Sequence, residues 1–261
     1  MPYRRIAHWI AASCLLAITG AQADTIKVLT AGAFKPVVLA MVPGFEARTG
    51  HKVEVHNDTA GALAKRIAAG EAFDLVVVTP AVLQSLAQQG TVDGAATVRI
   101  AKVGIGVAVR TGSASPDMRS VEDFRHAVLQ AKRLAYIDPA SGGSSGIYLD
   151  QLFGRMGIAD AVRAKAVLVP GGLVADRLVS GEADLAIHQI SEILPVKGAT
   201  LVAPLPEALQ NYTEYAGALA SKSGYPDAAR AFLAALAGSD AQAVIEAKGM
   251  VAARWPVEVA R

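Results

Sequence analysis

One short pattern occurs twice in this chain, and it limits the fold more than any other feature. Ala69-Gly70-Glu71-Ala72-Phe73-Asp74-Leu75-Val76-Val77 is echoed by Ser180-Gly181-Glu182-Ala183-Asp184-Leu185-Ala186-Ile187. In both, a helix ends at a glycine, which takes the left-handed conformation that closes helices at least cost. An Asp then precedes a continuous apolar run, the mark of a strand buried on both faces. Polar residues follow the strand: Thr79-Pro80 in one case, His188-Gln189 in the other. The same unit at corresponding places in two halves points to two similar lobes. The plainer reading is that helix-Gly-Glu-Ala-Asp-strand is a common αβ turn used twice.

The rest of the chain alternates in the same way. Ile26 to Thr30 reads as a strand, and apolar residues Phe34, Val37, Val38, Met41, Val42 and Phe45 follow at helical spacing. Pro43-Gly44 predicts a kink or break in that helix. Asp58 or Thr59 can cap a helix to Ala69. A long strand is expected from Arg99 to Arg110, then a helix from Val121 to Lys132 and a strand from Leu134 to Ile137. A Pro/Ser/Gly loop, Asp138 to Gly146, leads into a helix to Met156. Strands alternating with helices predict an α/β fold with mostly parallel sheets.

Charge excludes one large class of partner. Arg4 and Arg5 precede the first acid; without them basic and acidic residues balance at 23 each. With 5% aromatic residues, such a body lacks the concentrated basic face that nucleic acid requires. The first 23 residues read as a secretory signal: Arg4-Arg5, an apolar stretch from Ile6 to Gly20, then Ala21-Gln22-Ala23 as a small-x-small cleavage site. The mature chain is then expected to start at Asp24, in the periplasm. The apolar run is short of the ~20 residues that a membrane anchor needs, and a lipoprotein reading on Cys14 leaves almost no apolar segment ahead of it. Cys14 is the chain's one cysteine, so a cleaved chain has no disulfide, thiol chemistry or thiolate-held metal.

Val28 to Phe34, Thr59 to Ile67, Gly70 to Val78, Asp138-Pro139 with Ser145 to Tyr148, Gly181 to Ile187 and Tyr215 to Leu219 together resemble the periplasmic solute-binding proteins of ABC importers. The resemblance is strongest to the molybdate-binding type, the periplasmic binding protein fold of type 2. It implies two α/β lobes joined by two crossing segments, near Gly104 to Arg110 and Tyr212 to Leu219. Residues 24–106 and 214–261 would form one lobe and residues 107–213 the other. Helices Asp227 to Ala237 and Asp240 to Lys248 would pack on the first lobe. The implied function is capture of a small anion, molybdate or tungstate, and its delivery to an inner-membrane ABC permease. The implied protein is a monomer, not an enzyme, with no cofactor and no metal apart from the ligand itself.

By position, the ligand residues would be Gly32, Ala33, Ala60, Gly61, Ser144, Ser145, Gly171, His188 and Gln189. Most would act through backbone N–H groups at helix starts, where orphan donors and the helix dipole attract anions. The pattern departs from the molybdate type at Ala33 and Ala60/Gly61, where serines are usual, and at Gln189, where a Tyr is usual. The same site could therefore hold another small anion, such as an organic carboxylate.

Rival chemistry is weaker. Gly142-Gly143-Ser144-Ser145-Gly146 matches the G-x-S-x-G nucleophile motif, with Asp184 or Asp176 and then His188 in an acceptable order for a hydrolase. Asp138 to Ser141 intervene where the motif needs a turn directly after its strand. His51 and His56 face opposite sides of one strand, so they form no metal site. Tyr148 and Tyr215 read most simply as packing, with a place in the cleft wall as the alternative. Arg177 and Lys65-Arg66 read as solvated, with a transporter contact as the alternative. A periplasmic sensor or scavenger unconnected with transport is a further alternative.

Overall fold

A computed structural model describes residues 23–253. The signal-peptide reading therefore lies almost entirely outside the described residues. Among them, no helix is long and apolar enough to cross a membrane.

The first lobe begins β1 (Thr25–Ala31), α1 (Lys35–Thr49), β2 (Lys52–Asp58), α2 (Ala60–Ala68), β3 (Leu75–Val78), α3 (Pro80–Gln88) and β4 (Val98–Val103). The second holds β5 (Ile105–Arg110), α4 (Val121–Gln130), β6 (Leu134–Ile137), α5 (Ser144–Arg155), α6 (Ala159–Arg163), β7 (Ala166–Val169), α7 (Asp176–Val179), β8 (Leu185–Gln189), α8 (Ile190–Ile193) and β9 (Ala199–Pro204). The chain then returns to the first lobe with β10 (Thr213–Leu219), α9 (Pro226–Ala237), α10 (Ser239–Ala247) and β11 (Val251–Ala252).

Two sheets result, ordered β11-β4-β10-β3-β1-β2 and β7-β6-β8-β5-β9. The α/β reading holds, but each sheet is mixed. β1 runs parallel to β2 and β3, and β6 parallel to β7 and β8. The strands beside the crossings, β10 and β5, pair antiparallel with both of their neighbours. A crossing strand enters its sheet from the opposite lobe, so it runs against strands fed by helices of its own lobe.

The long strand expected from Arg99 to Arg110 is two strands, one in each sheet. Ile105 and Gly106 pair with Gln189 and His188, so the change of sheet falls at Gly104, ahead of the boundary expected at 106. The side chain of Gln210 clasps this point from the returning segment: Ile105 N donates to its Oε1 at 2.8 Å and its Nε2 donates to Ile105 O at 2.9 Å. The kink expected at Pro43 does not split α1, which runs through it. Pro43 and Gly44 are exposed, so water can bond the carbonyl that proline leaves without a donor.

Strand periodicity builds the second lobe's core on both faces. Leu134 and Tyr136 join Phe124, Leu149, Phe153 and Ile187 on one side. Ala135 and Ile137 join Val169, Val174, Leu178 and Ile193 on the other. All four strand residues are buried, and burying each large apolar side chain contributes about 1.5–3 kcal/mol. In the first lobe, Phe34, Phe45, Leu75, Phe232 and Ile245 belong to one cluster, so α9 and α10 pack there.

Candidate functional site

The strand ends of both lobes face one cleft, as open α/β sheets require. From the first lobe it is lined by the turns after β1 and β2, from Ala31 to Ala33 and from Asn57 to Ala60. From the second come Ile137, Gly143, Ser144, Ser145, Gly172, His188, Gln189 and Glu192, with Tyr215 from β10.

The lobes meet directly at its edge. Thr59 Oγ1 donates to Ser141 O at 2.5 Å, Gly61 N to Gly142 O at 3.1 Å, and Ser191 Oγ to Ala33 O at 2.8 Å. About 40 Å³ of free space is left between them. The molecule is thus in a closed state, and a ligand larger than a few atoms requires the lobes to part slightly.

Two helices begin at the cleft. Thr59 caps α2 by accepting from Ala62 N. No side chain caps α5, whose first residues are Ser144 and Ser145, so its leading N–H groups have no intrahelical partner. Gly143 and Gly146 allow α5 to start close against β6. A Cβ on Gly146 would stand 2.2 Å from Ile137 O, and one on Gly143 2.5 Å from Ile137 Cγ2.

The floor of the cleft is polar and buried. His188 and Gln189 end β8 and are 1% and 4% exposed. Tyr215 donates to Gln189 Oε1 at 3.0 Å, leaving Gln189 Nε2 without a protein partner. His188 Nε2 lies 3.2 Å from Glu192 Oε2, and His188 Nδ1 also lacks a partner. Burial lowers His188 to about 3 and raises Glu192 to about 8, the nearby Lys35 charge only partly opposing the latter. The pair is therefore neutral at pH 7, with the Glu192 hydroxyl donating to the imidazole. Burial also raises Tyr215 well above its ordinary value.

Of the residues expected from sequence, Gly32, Ala33, Ala60, Ser144, Ser145, His188 and Gln189 line the cleft. Gly61 does not: its N–H is used by Gly142 of the other lobe, and a Cβ there would stand 2.8 Å from Gly142 Cα. It is a lobe-to-lobe contact, not a free donor. Gly171 is likewise outside the lining, and Gly172, in the left-handed region at φ 84°, takes its place. Tyr215, read as packing, reaches the cleft. Tyr148 does not line it and bonds Leu209 O at 2.7 Å. Glu192 is the residue that sequence reading missed. Its only signal is the four-residue spacing from His188, and such a spacing carries no meaning when one member ends a strand.

The hydrolase arrangement does not form. Ser144 opens α5 after a 3-10 turn at Pro139–Ser141, not directly after β6. Asp184 sits at the far end of β8, accepting from Lys132 N and Arg133 N, and Asp176 opens α7. Arg66 and Arg177, read as solvated, pair with Glu71 and Glu182. Arg66 also reaches Asp58 at 3.3 Å.

A two-lobed α/β fold with a closed, donor-lined cleft defines a solute-binding protein. The chain matches the family described as bacterial extracellular solute-binding protein over residues 26–251, and it belongs to that family. Among curated proteins it is 34% identical over 232 residues to an aconitate isomerase from a Pseudomonas species, covering 87% of each chain. Among solved structures, the Azotobacter vinelandii periplasmic molybdate-binding protein matches at TM-score 0.73 and 20% identity, over 88% of this chain and all of that one. A sulfate-binding protein from Mycobacterium tuberculosis matches at TM-score 0.69 and 19% identity, over 91% of this chain and 88% of that one.

Proposed function

We propose that the cleft captures a small organic polycarboxylate of the aconitate kind, in the periplasm, by closure of the two lobes. The observation that carries this reading is the 34% identity with an aconitate isomerase over 87% of both chains. The molybdate-binding likeness, at 20% identity, speaks for the fold alone. The site is consistent with a carboxylate ligand. His188 Nδ1 and Gln189 Nε2 are buried donors in search of acceptors, and an unpaired buried polar group costs about 1–3 kcal/mol. The uncapped start of α5 offers further N–H groups to an anion.

A tetrahedral oxyanion such as molybdate or tungstate is the second reading, favoured by the 40 Å³ of space in the closed cleft. In either case delivery to an ABC permease of the inner membrane would follow the habit of the fold. Calorimetric titration of residues 24–261 tests both with cis- and trans-aconitate, saturated tricarboxylates, molybdate, tungstate and sulfate. A tricarboxylate heat with silence toward molybdate is the expected outcome. Tight molybdate binding with no carboxylate heat would overturn the reading.

A further inference from the structure

Among the described residues, two buried nitrogens on the cleft floor have no protein partner, His188 Nδ1 and Gln189 Nε2. Behind each stands a second buried group. Glu192, 6% exposed, places Oε2 3.2 Å from His188 Nε2. Tyr215, 2% exposed, donates its hydroxyl hydrogen to Gln189 Oε1 at 3.0 Å.

A neutral imidazole has one N–H and one bare nitrogen, and a side-chain amide donates from one end only. Which end faces outward is decided by the bond made at the other. The protonated Glu192 carboxyl donates to Nε2, so Nε2 is the bare nitrogen and Nδ1 keeps the hydrogen. The Tyr215 hydroxyl donates as well, so the amide oxygen of Gln189 is occupied and its NH₂ group is left for a ligand.

Resting on the polycarboxylate reading, we propose that Glu192 and Tyr215 are positioning residues that lock His188 and Gln189 as donors, so that the floor of the cleft holds its ligand through ionised carboxylate oxygens. A protonated carboxyl or a carboxamide nitrogen at the same place sets donor against donor and leaves buried groups unpaired, which is how a polar site rejects a near-isostere.

The lock at His188 depends on one proton. Glu192 faces His188 of β8, Lys35 at the start of α1 and Tyr215 of β10. Lys248 precedes Gly249, which packs on Ile190 and Leu194 of the α8 segment. Asp58, paired with Arg66, stands in the wall of the first lobe. Burial outweighs the Lys35 charge and keeps the carboxyl protonated up to about pH 8. Above that pH Glu192 becomes an acceptor. Nε2 then carries the hydrogen, and Nδ1 presents a lone pair to the ligand. A donor becomes an acceptor with no heavy atom displaced, so anion affinity should fall as pH rises through about 8.

Nitrogen-15 NMR of residues 24–261 labelled at histidine reads the tautomer without any ligand, with His188→Gln to assign the signal. The Nδ1–H form is expected at pH 7 and the Nε2–H form at pH 9. Calorimetry with trans-aconitate should show about tenfold weaker binding at pH 9 than at pH 7, following the protonated fraction of Glu192. In Glu192→Gln the amide donates to Nε2 at either pH, so the Nδ1–H form should persist and affinity should stay within about twofold across that range. Glu192→Leu has no donor and should let both tautomers appear. Tyr215→Phe frees the Gln189 amide to turn and should weaken binding about fivefold at either pH, the share of one neutral hydrogen bond. An Nε2–H tautomer at pH 7, or an alkaline loss that persists in Glu192→Gln, would overturn the lock. Unchanged affinity in Tyr215→Phe would overturn the part given to Tyr215. A fixed Nδ1–H tautomer with no aconitate heat would overturn the polycarboxylate reading and leave the donor lock standing for another anion.

Discussion

The two lobes share a turn down to its hydrogen bonds, yet they supply the cleft with different things. In the first, Arg66 pairs with Glu71 at 2.6 Å, Gly70 takes φ 93°, and Asp74 accepts from Lys27 N at the start of β1. In the second, Arg177 pairs with Glu182 at 2.8 Å, Gly181 takes φ 79°, and Asp184 accepts from Arg133 N just before β6. In each lobe the Asp ties its own strand to the start of a parallel neighbour. The strands then part ways. β3 runs into Thr79-Pro80 and α3, away from the cleft, whereas β8 delivers His188 and Gln189 into it. The first lobe lines the cleft with the turns after β1 and β2 and one half-buried carboxylate, Asp58, paired with Arg66. The second adds nearly all of its buried titratable chemistry. A shared scaffold unit therefore says where a strand ends, not what that end is for.

The largest expected effect breaks the scaffold of one lobe while sparing the other. Gly146→Ala puts a methyl 2.2 Å from a backbone carbonyl of β6, and backbone cannot move aside as a flexible side chain can. Overpacking costs about 1–3 kcal/mol and at times more, so chemical denaturation should show at least about 3 kcal/mol lost. Wild-type stability would mean α5 can slide away from β6.

The echoed aspartates come next. Asp74 is buried and also holds Ser223 Oγ and Gly224 N, so Asp74→Ala should cost about 3 kcal/mol. Asp184 bonds two exposed N–H groups, and its loss should cost about 1 kcal/mol. Equal costs in urea unfolding would show that burial does not separate the two turns.

The cleft chemistry of the second lobe predicts a pH slope. Glu192 rises from 4.5 to about 8 on folding, so between those values the native chain holds the extra proton and stability falls as pH rises. His188 drops from 6.5 to about 3, so stability rises with pH across that window. The two oppose each other where they overlap, and above pH 6.5 only Glu192 remains. Unfolding free energy should drop by roughly 2 kcal/mol between pH 6.5 and 8.5. In Glu192→Gln that drop should vanish; its persistence would assign the slope elsewhere.

Smaller still, Gly61→Ala should leave the melting temperature alone, because its clash with Gly142 exists only when the lobes close. Ligand affinity should fall about tenfold, or ~1.4 kcal/mol. A changed melting temperature with unchanged affinity would place that contact outside closure. Last, Arg66→Ala and Arg177→Ala should each cost no more than about 1 kcal/mol, since both ion pairs are partly solvated. Denaturation midpoints measure this, and a larger loss at Arg66 alone would reveal the added weight of its Asp58 contact.

Much of this was legible without coordinates because it is local. Continuous apolar runs such as Leu75–Val78 cannot be stable except as strands covered on both sides, and glycines at 70 and 181 stop helices wherever they stand. Loops that follow such strands must converge, so seven of the nine residues named from sequence line the cleft. What local pattern could not reach is what happens where the lobes meet. Gly61 looked like a donor at a helix start, and only closure shows its N–H spent on Gly142. Nothing in the residues next to Glu192 along the chain marks it for the cleft. Its burial needs Gly32 from one lobe and His188 from the other, more than 150 residues apart in the chain. A residue's hydrogen bonds within its own turn follow from its neighbours in sequence. Its desolvation, and hence whether it carries a charge or a proton, is set by everything that packs over it, and only the folded molecule decides that.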